Sequence, residues 1–266
     1  MNEGLKPLAI SILSGKGGVG KSNIALNLAY ALNELGNRIL LVDGDLGLAN
    51  LDIMLGITPN KSIEDIIKQD LDPKDLFINL EKDFDFLPAA SGIPEVVDWD
   101  LDIKRMIMER LNGALKDYNY TIFDLGAGIQ DSVIMFSSMT PLRCIVITNE
   151  PTSLTDAYAV IKVLHMQKEV KHFFIIVNMV KNQKEGMVAF ERLKRVCEKF
   201  LNLKINLLGI IEEDKEVVNS IRYQTPLLKR APNSKASLLI KEIGEKIIYL
   251  HKKINPLISD SPLLIK

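Results

Sequence analysis

Apolar residues in this chain fall into short, near-continuous runs separated by longer stretches with helical spacing. The runs at 8–13, 38–43, 84–87, 121–124, 143–148, 173–178 and 205–210 are rich in Ile, Leu, Val and Phe. Unbroken runs of this kind suit strands covered on both faces. Between them, Ile24, Leu28, Ala31, Leu32 and Leu35 mark a helix that Gly36 and Asn37 stop. Met106, Leu111 and Leu115 mark a second helix, and Val188, Phe190, Leu193, Val196, Cys197 and Phe200 a third. Strand–helix alternation predicts an α/β fold: a single domain with a mostly parallel central sheet of about seven or eight strands and helices on both faces.

Length and composition fit that picture. The chain has 266 residues, 47% of them hydrophobic, enough for one large core. Residues 1–250 read as the domain. Residues 251–266 read as a tail, which Pro256 and Pro262 keep from forming one continuous helix. The formal net charge is -1, so no overall basic surface is available for nucleic acid. A cluster of Lys181, Lys184, Arg192, Lys194, Arg195 and Lys199 is interleaved with Glu185, Glu191 and Glu198, which reads as a solvated helix face. The two cysteines, Cys144 and Cys197, form no Cys-x-x-Cys and read as buried thiols. No apolar stretch approaches the roughly 20 residues of a membrane span, and no signal-peptide pattern opens the chain. A cytoplasmic protein is expected.

The chemistry begins where the first strand ends. Gly15-Lys16-Gly17-Gly18-Val19-Gly20-Lys21-Ser22 fits G-x-x-x-x-G-K-[ST] between a strand and a helix. Glycines let successive backbone N–H groups turn toward phosphate oxygens, and the following helix adds its N-terminal donors. This loop predicts binding and hydrolysis of ATP, with Lys21 on the β- and γ-phosphates and Ser22 on Mg²⁺. Lys16 is an extra lysine that the pattern does not require. It either meets negative charge or stands exposed on the turn.

Carboxylates complete the set. The second strand ends in Asp43-Gly44-Asp45, at the strand end where α/β proteins bind ligands. Asp45 is the candidate for orienting water. Asp43 either supports Mg²⁺ or belongs to a turn leaving the strand. Asp124 closes another apolar strand and is a second candidate metal carboxylate, with Gly126 and Gly128 just beyond it.

Together these residues resemble the MinD/ParA family of deviant Walker A ATPases, whose loop is matched in full by Lys16-Gly17-Gly18-Val19-Gly20-Lys21-Ser22. The resemblance covers roughly residues 8 to 250 and is nearest to the FlhG-like (FleN/YlxH) branch, regulators of flagellar number and placement. Asp43-Gly44-Asp45-Leu46-Gly47-Leu48-Ala49-Asn50-Leu51-Asp52 carries it, with Leu125-Gly126-Ala127-Gly128-Ile129 and Asn149-Glu150-Pro151-Thr152-Ser153-Leu154-Thr155-Asp156-Ala157-Tyr158.

The resemblance implies an ATP-dependent homodimer in which Lys16 reaches the partner's nucleotide. It also implies contacts from Asn23, an adenine pocket near Asn178, Glu213 and Asp214, and Asp156 at the dimer face, unless Asp156 is simply an acid at a helix N-terminus. For Asn178, capping of a strand end is the equal alternative. Glu212 stands where relatives often have proline. Implied partners are an FlhF-type GTPase, flagellar switch proteins or a transcription regulator, with peripheral binding to the inner face of the membrane. The Asp-Gln-Ala motif that stimulates FlhF is absent from the roughly seven residues before the first strand. The tail mixes apolar and basic residues but is broken by its prolines, so it either docks on membrane or packs on the domain. The alternatives within the family are a ParA-type partitioning ATPase and a MinD-type regulator of the division site.

Overall fold

The computed structural model describes residues 5–45, 50–63, 65–89 and 100–264. Eight strands form one sheet among them: β1 (Leu8–Ser14), β2 (Ile39–Gly44), β3 (Ile78–Glu81), β4 (Phe84–Leu87), β5 (Tyr120–Ala127), β6 (Leu142–Ile147), β7 (Phe174–Val180) and β8 (Asn206–Glu212). Their order is β3-β4-β2-β5-β1-β6-β7-β8, with β1 inside, between β5 and β6. Every pairing is parallel except β3 with β4. The expected mostly parallel sheet is therefore present. Strand β3 was not expected. Its four residues carry too little pattern to read alone, and it forms by pairing back on β4 across the turn at Lys82 and Asp83.

The helices are α1 (Lys21–Glu34), α2 (Leu51–Leu55), α3 (Asp65–Lys68), α4 (Leu101–Leu115), α5 (Asp131–Met139), α6 (Pro151–Lys168), α7 (Gln183–Leu201), α8 (Lys215–Arg222), α9 (Leu227–Arg230) and α10 (Lys235–Ile254). Side chains alternate across a strand, so β1 feeds two cores at once. Leu8, Ile10 and Ile12 pack with α1 and α10 on one face, while Ala9 and Leu13 pack with α4 to α7 on the other. Each fully buried Leu, Ile or Phe here contributes about 1.5–3 kcal/mol. This double cover explains the near-continuous apolar runs.

The third expected helix is present as α7, and its apolar residues divide between the core and the surface. In α7, Phe190, Leu193 and Cys197 are buried with Gly186 and Ala189, but Val188, Val196 and Phe200 are exposed. Val188 stands about half a turn from Phe190, while Val196 and Phe200 lie at the rim and the end of the stripe that meets the sheet. Met106 of α4 and Leu35 beyond α1 are likewise exposed.

Helix α10 runs through position 250, so it spans the boundary drawn there. Residues 255–264 then return along the domain. The Lys6 amide donates to Asn255 Oδ1 at 2.8 Å, the Leu264 amide donates to Met139 O at 2.7 Å, and Leu263 is buried. No helix among the described residues is long and apolar enough to cross a membrane.

Candidate functional site

The loop from β1 to α1 opens at the carboxyl edge of the sheet, where β1 is flanked by β5 and β6. In an open α/β sheet this crevice is the ligand-binding position. Gly18 and Gly20 have φ of 80° and 85°, and Gly20 is the N-cap of α1. Gly15 has a different task. A Cβ on it would run into the backbone of Asp156 and Ala157, so the loop lies directly on the first turns of α6.

Parallel register sets the charges. Asp43 of β2 is paired with Asp124 of β5, and Asp124 in turn with Ile12 of β1. Both carboxylates are buried. Lys21 Nζ lies 2.6 Å from Asp124 Oδ1 and 3.4 Å from Ser22 Oγ. Burial raises Asp124 above the usual carboxylate range, and Lys21 opposes that rise. Burial, and next the Asp124 charge, push Asp43 up to about 8.

The Asp43 oxygens are also occupied by backbone. Oδ1 accepts from the Asp45 amide at 3.1 Å, and Oδ2 accepts from the Asn50 and Leu51 amides, each at 3.3 Å. It thus ties the exit of β2 to the start of α2. The Asp45 carboxyl lies against Gly126, 3.6 Å from where a Cβ there would sit. Residues 46–49 of the acidic segment lie outside the described residues.

Lys16 meets negative charge within its own chain. Its Nζ is 2.5 Å from Glu150 Oε2 and donates to Thr152 Oγ1 at 3.1 Å, at the start of α6. Beside this contact lies a cleft of about 520 Å³, lined by Lys16, Gly17, Gly18, Asn149, Glu150, Met179 and Glu213, among others.

The other expected residues separate into two groups. Asn178 is buried and donates from Nδ2 to Val19 O at 2.9 Å, so one amide hydrogen is held by the loop itself. Asp214 accepts from the Glu216 amide at 2.9 Å and the Ala236 amide at 3.1 Å, capping α8 and bridging to the first turn of α10. Glu213 lines the cleft, whereas Glu212 pairs with Lys235 at 2.5 Å and accepts from Gln183 at 3.0 Å. Glu185 was not expected at the site. It lines the cleft and accepts from Asn149 at 2.9 Å, a role that nothing local in the sequence marks.

A bound nucleotide and Mg²⁺ fit these residues. Asn23 Nδ2 and Ser14 Oγ are buried beside the loop with no hydrogen-bond partner among the described residues. Unpaired buried groups are costly, and phosphate oxygens or ordered water would satisfy them. Ser22 and Asp124 offer hard oxygen ligands, few in number, as suits an ion that keeps waters and phosphate oxygens in its shell, whereas the expected third donor, Asp43, has its oxygens engaged by backbone amides.

Comparison with known proteins agrees with the geometry. A family model described as the CobQ/CobB/MinD/ParA nucleotide binding domain matches residues 10–227. The antiactivator FleN of Pseudomonas aeruginosa is 35% identical over 238 residues, covering 90% of this chain and 85% of that protein. The flagellum site-determining protein YlxH of Helicobacter pylori is also 35% identical, over 90% of this chain and 81% of its own. Among solved structures, the septum site-determining protein MinD of Pyrococcus horikoshii complexed with Mg-ADP superposes with a TM-score of 0.77 at 27% identity, covering 91% of this chain and 96% of that one.

Proposed function

Because this chain belongs to the CobQ/CobB/MinD/ParA nucleotide-binding family, we propose that it is a Mg²⁺-dependent ATPase working as an ATP-dependent dimerisation switch that regulates flagellar number and placement. The observation that carries the flagellar reading is the 35% identity to both FleN and YlxH over 90% of the chain.

The residues divide the work. Backbone N–H groups of the loop and the start of α1 face the phosphates. Lys21 exchanges its Asp124 partner for phosphate oxygen. Ser22 and Asp124 would hold Mg²⁺, with Asp43 securing the segment that carries Asp45. When bound there, Mg²⁺ would supply positive charge to the phosphate oxygens. Asp45, beside Gly126, orients water. Lys16 sits on a weak exposed pair and is free to exchange it for a second copy's nucleotide.

Such a switch works only if ATP favours the dimer over the monomer. The partners in this reading are flagellar switch proteins, a transcription regulator or an FlhF-type GTPase. Peripheral membrane binding by the tail would first have to release Leu263 and the bonds at Asn255 and Leu264. Mass measurement in solution tests the switch: monomer with ADP, dimer with ATP on the Asp45→Ala variant. Equal mass in both states would sink it. A deletion strain with normal flagellar number and position would remove the flagellar role.

A further inference from the structure

Asn178 lies at the end of β7, where the strand gains a residue over its neighbour. Val177 pairs with Ile210 and Val180 with Glu212, so three steps on β7 match two on β8. Such a bulge lets a strand re-aim a side chain. Met179, inside it, has φ of 56°, a left-handed conformation that a non-glycine residue rarely holds without support. The Asn178 amide is buried, and its Nδ2 donates to Val19 O at 2.9 Å across 159 residues of sequence.

We infer that Asn178 is a positioning residue for the phosphate loop, fixing the Val19–Gly20 peptide plane so that the Gly20 N–H points toward bound phosphate. The physical reason is the planar trans peptide, in which the C=O of one residue and the N–H of the next point in opposite directions. Holding the Val19 carbonyl outward on Asn178 turns the Gly20 N–H to the other side of the plane. Gly20 then accepts the left-handed conformation, φ 85°, at the N-cap of α1. Its missing Cβ is what allows the amide so close, because a Cβ there would collide with Asn178 Nδ2. The inference rests on the nucleotide-binding reading of this loop and assigns Asn178 to the phosphates rather than to the base.

Displacement of a fluorescent ADP by ATP, GTP and inorganic tripolyphosphate, each with Mg²⁺, tests it in the full chain. Asn178→Asp replaces the donor with an acceptor facing Val19 O, and Asn178→Ser is the milder change. Both should weaken all three ligands by about tenfold, the expected size for one lost buried hydrogen bond. The ratio of ATP to GTP affinity should stay within about twofold of the unmodified protein. A loss confined to ATP, with tripolyphosphate unaffected, would return Asn178 to base recognition and overturn the inference. So would wild-type affinity for every ligand in Asn178→Ser, which also carries the test should Asn178→Asp not fold. An unmodified chain that binds neither nucleotide would overturn the functional reading, and this one with it.

Discussion

Lys21 Nζ and Asp124 Oδ1 form a 2.6 Å ion pair whose side chains are only 9% and 2% exposed, at the root of the phosphate loop. The pair is the electrostatic keystone of the site, because Asp43 stands beside Asp124 in the parallel register. Two buried carboxylates share one cation. Lys21 offsets the burial that raises both carboxyls, Asp124 most directly, so removing it drives them further toward the protonated form.

Lys21→Ala should therefore damage more than binding. Breaking one side of a buried pair leaves an uncompensated charge, which costs about 3–5 kcal/mol, an upper figure here since a carboxyl can protonate instead. Urea unfolding of the nucleotide-free variant should show a clear stability loss, and ADP binding should be abolished. An unchanged urea midpoint would mean that the pair contributes nothing to the resting fold.

Lys16 should behave in the opposite way. Its pair with Glu150 is exposed, with side chains 40% and 62% accessible, and exposed pairs add little to stability. Glu150→Gln should leave the unfolding midpoint almost unmoved. Lys16→Ala should keep ADP affinity within about fivefold, since only a weak contact is lost, while ATP-dependent dimerisation and hydrolysis disappear. Loss of ADP binding as severe as in Lys21→Ala would place Lys16 on its own nucleotide instead.

His251 supplies a pH dependence. It is fully buried, with Nδ1 3.1 Å from Tyr120 Oη, and burial holds its pKa below the usual imidazole value. The folded state resists a proton that the unfolded chain accepts near pH 6.5. This contribution to stability is present above about pH 6.5 and is lost as pH falls toward the lowered folded value, by at most about 1.4 kcal/mol per pH unit. Thermal unfolding from pH 8 to 5 should show a shallower decline in His251→Gln than in the unmodified chain. Identical slopes would show that His251 does not titrate in this range.

Much of the fold was legible because its determinants are local. The β1 run, the glycine loop and the first turn of α1 are contiguous, so one segment specifies strand, cradle and helix start together. The acids at strand ends were legible for a related reason: a parallel sheet gathers the carboxyl ends of its strands on one edge, as Asp43 and Asp124 show. The exposed apolar positions of α7 were not legible. Val188 and Phe190 are both apolar, and only packing against the sheet buries one and leaves the other at the surface.

The sequence by itself thus determined the class of fold, the phosphate loop and the residue types available to it. It left open what each side chain touches. Asn178 suited a base or a strand end, and the tertiary structure put it on Val19, 159 residues away. Asp43 suited a metal or a turn, and the structure set three backbone amides around its oxygens. The tail suited a membrane or the domain, and its described part packs on the domain through Leu263. The physical reason is common to all three. Backbone propensity and hydrophobic period act over a few residues, whereas a hydrogen-bond partner is chosen by whichever distant strand or helix the packed core brings within about 3 Å.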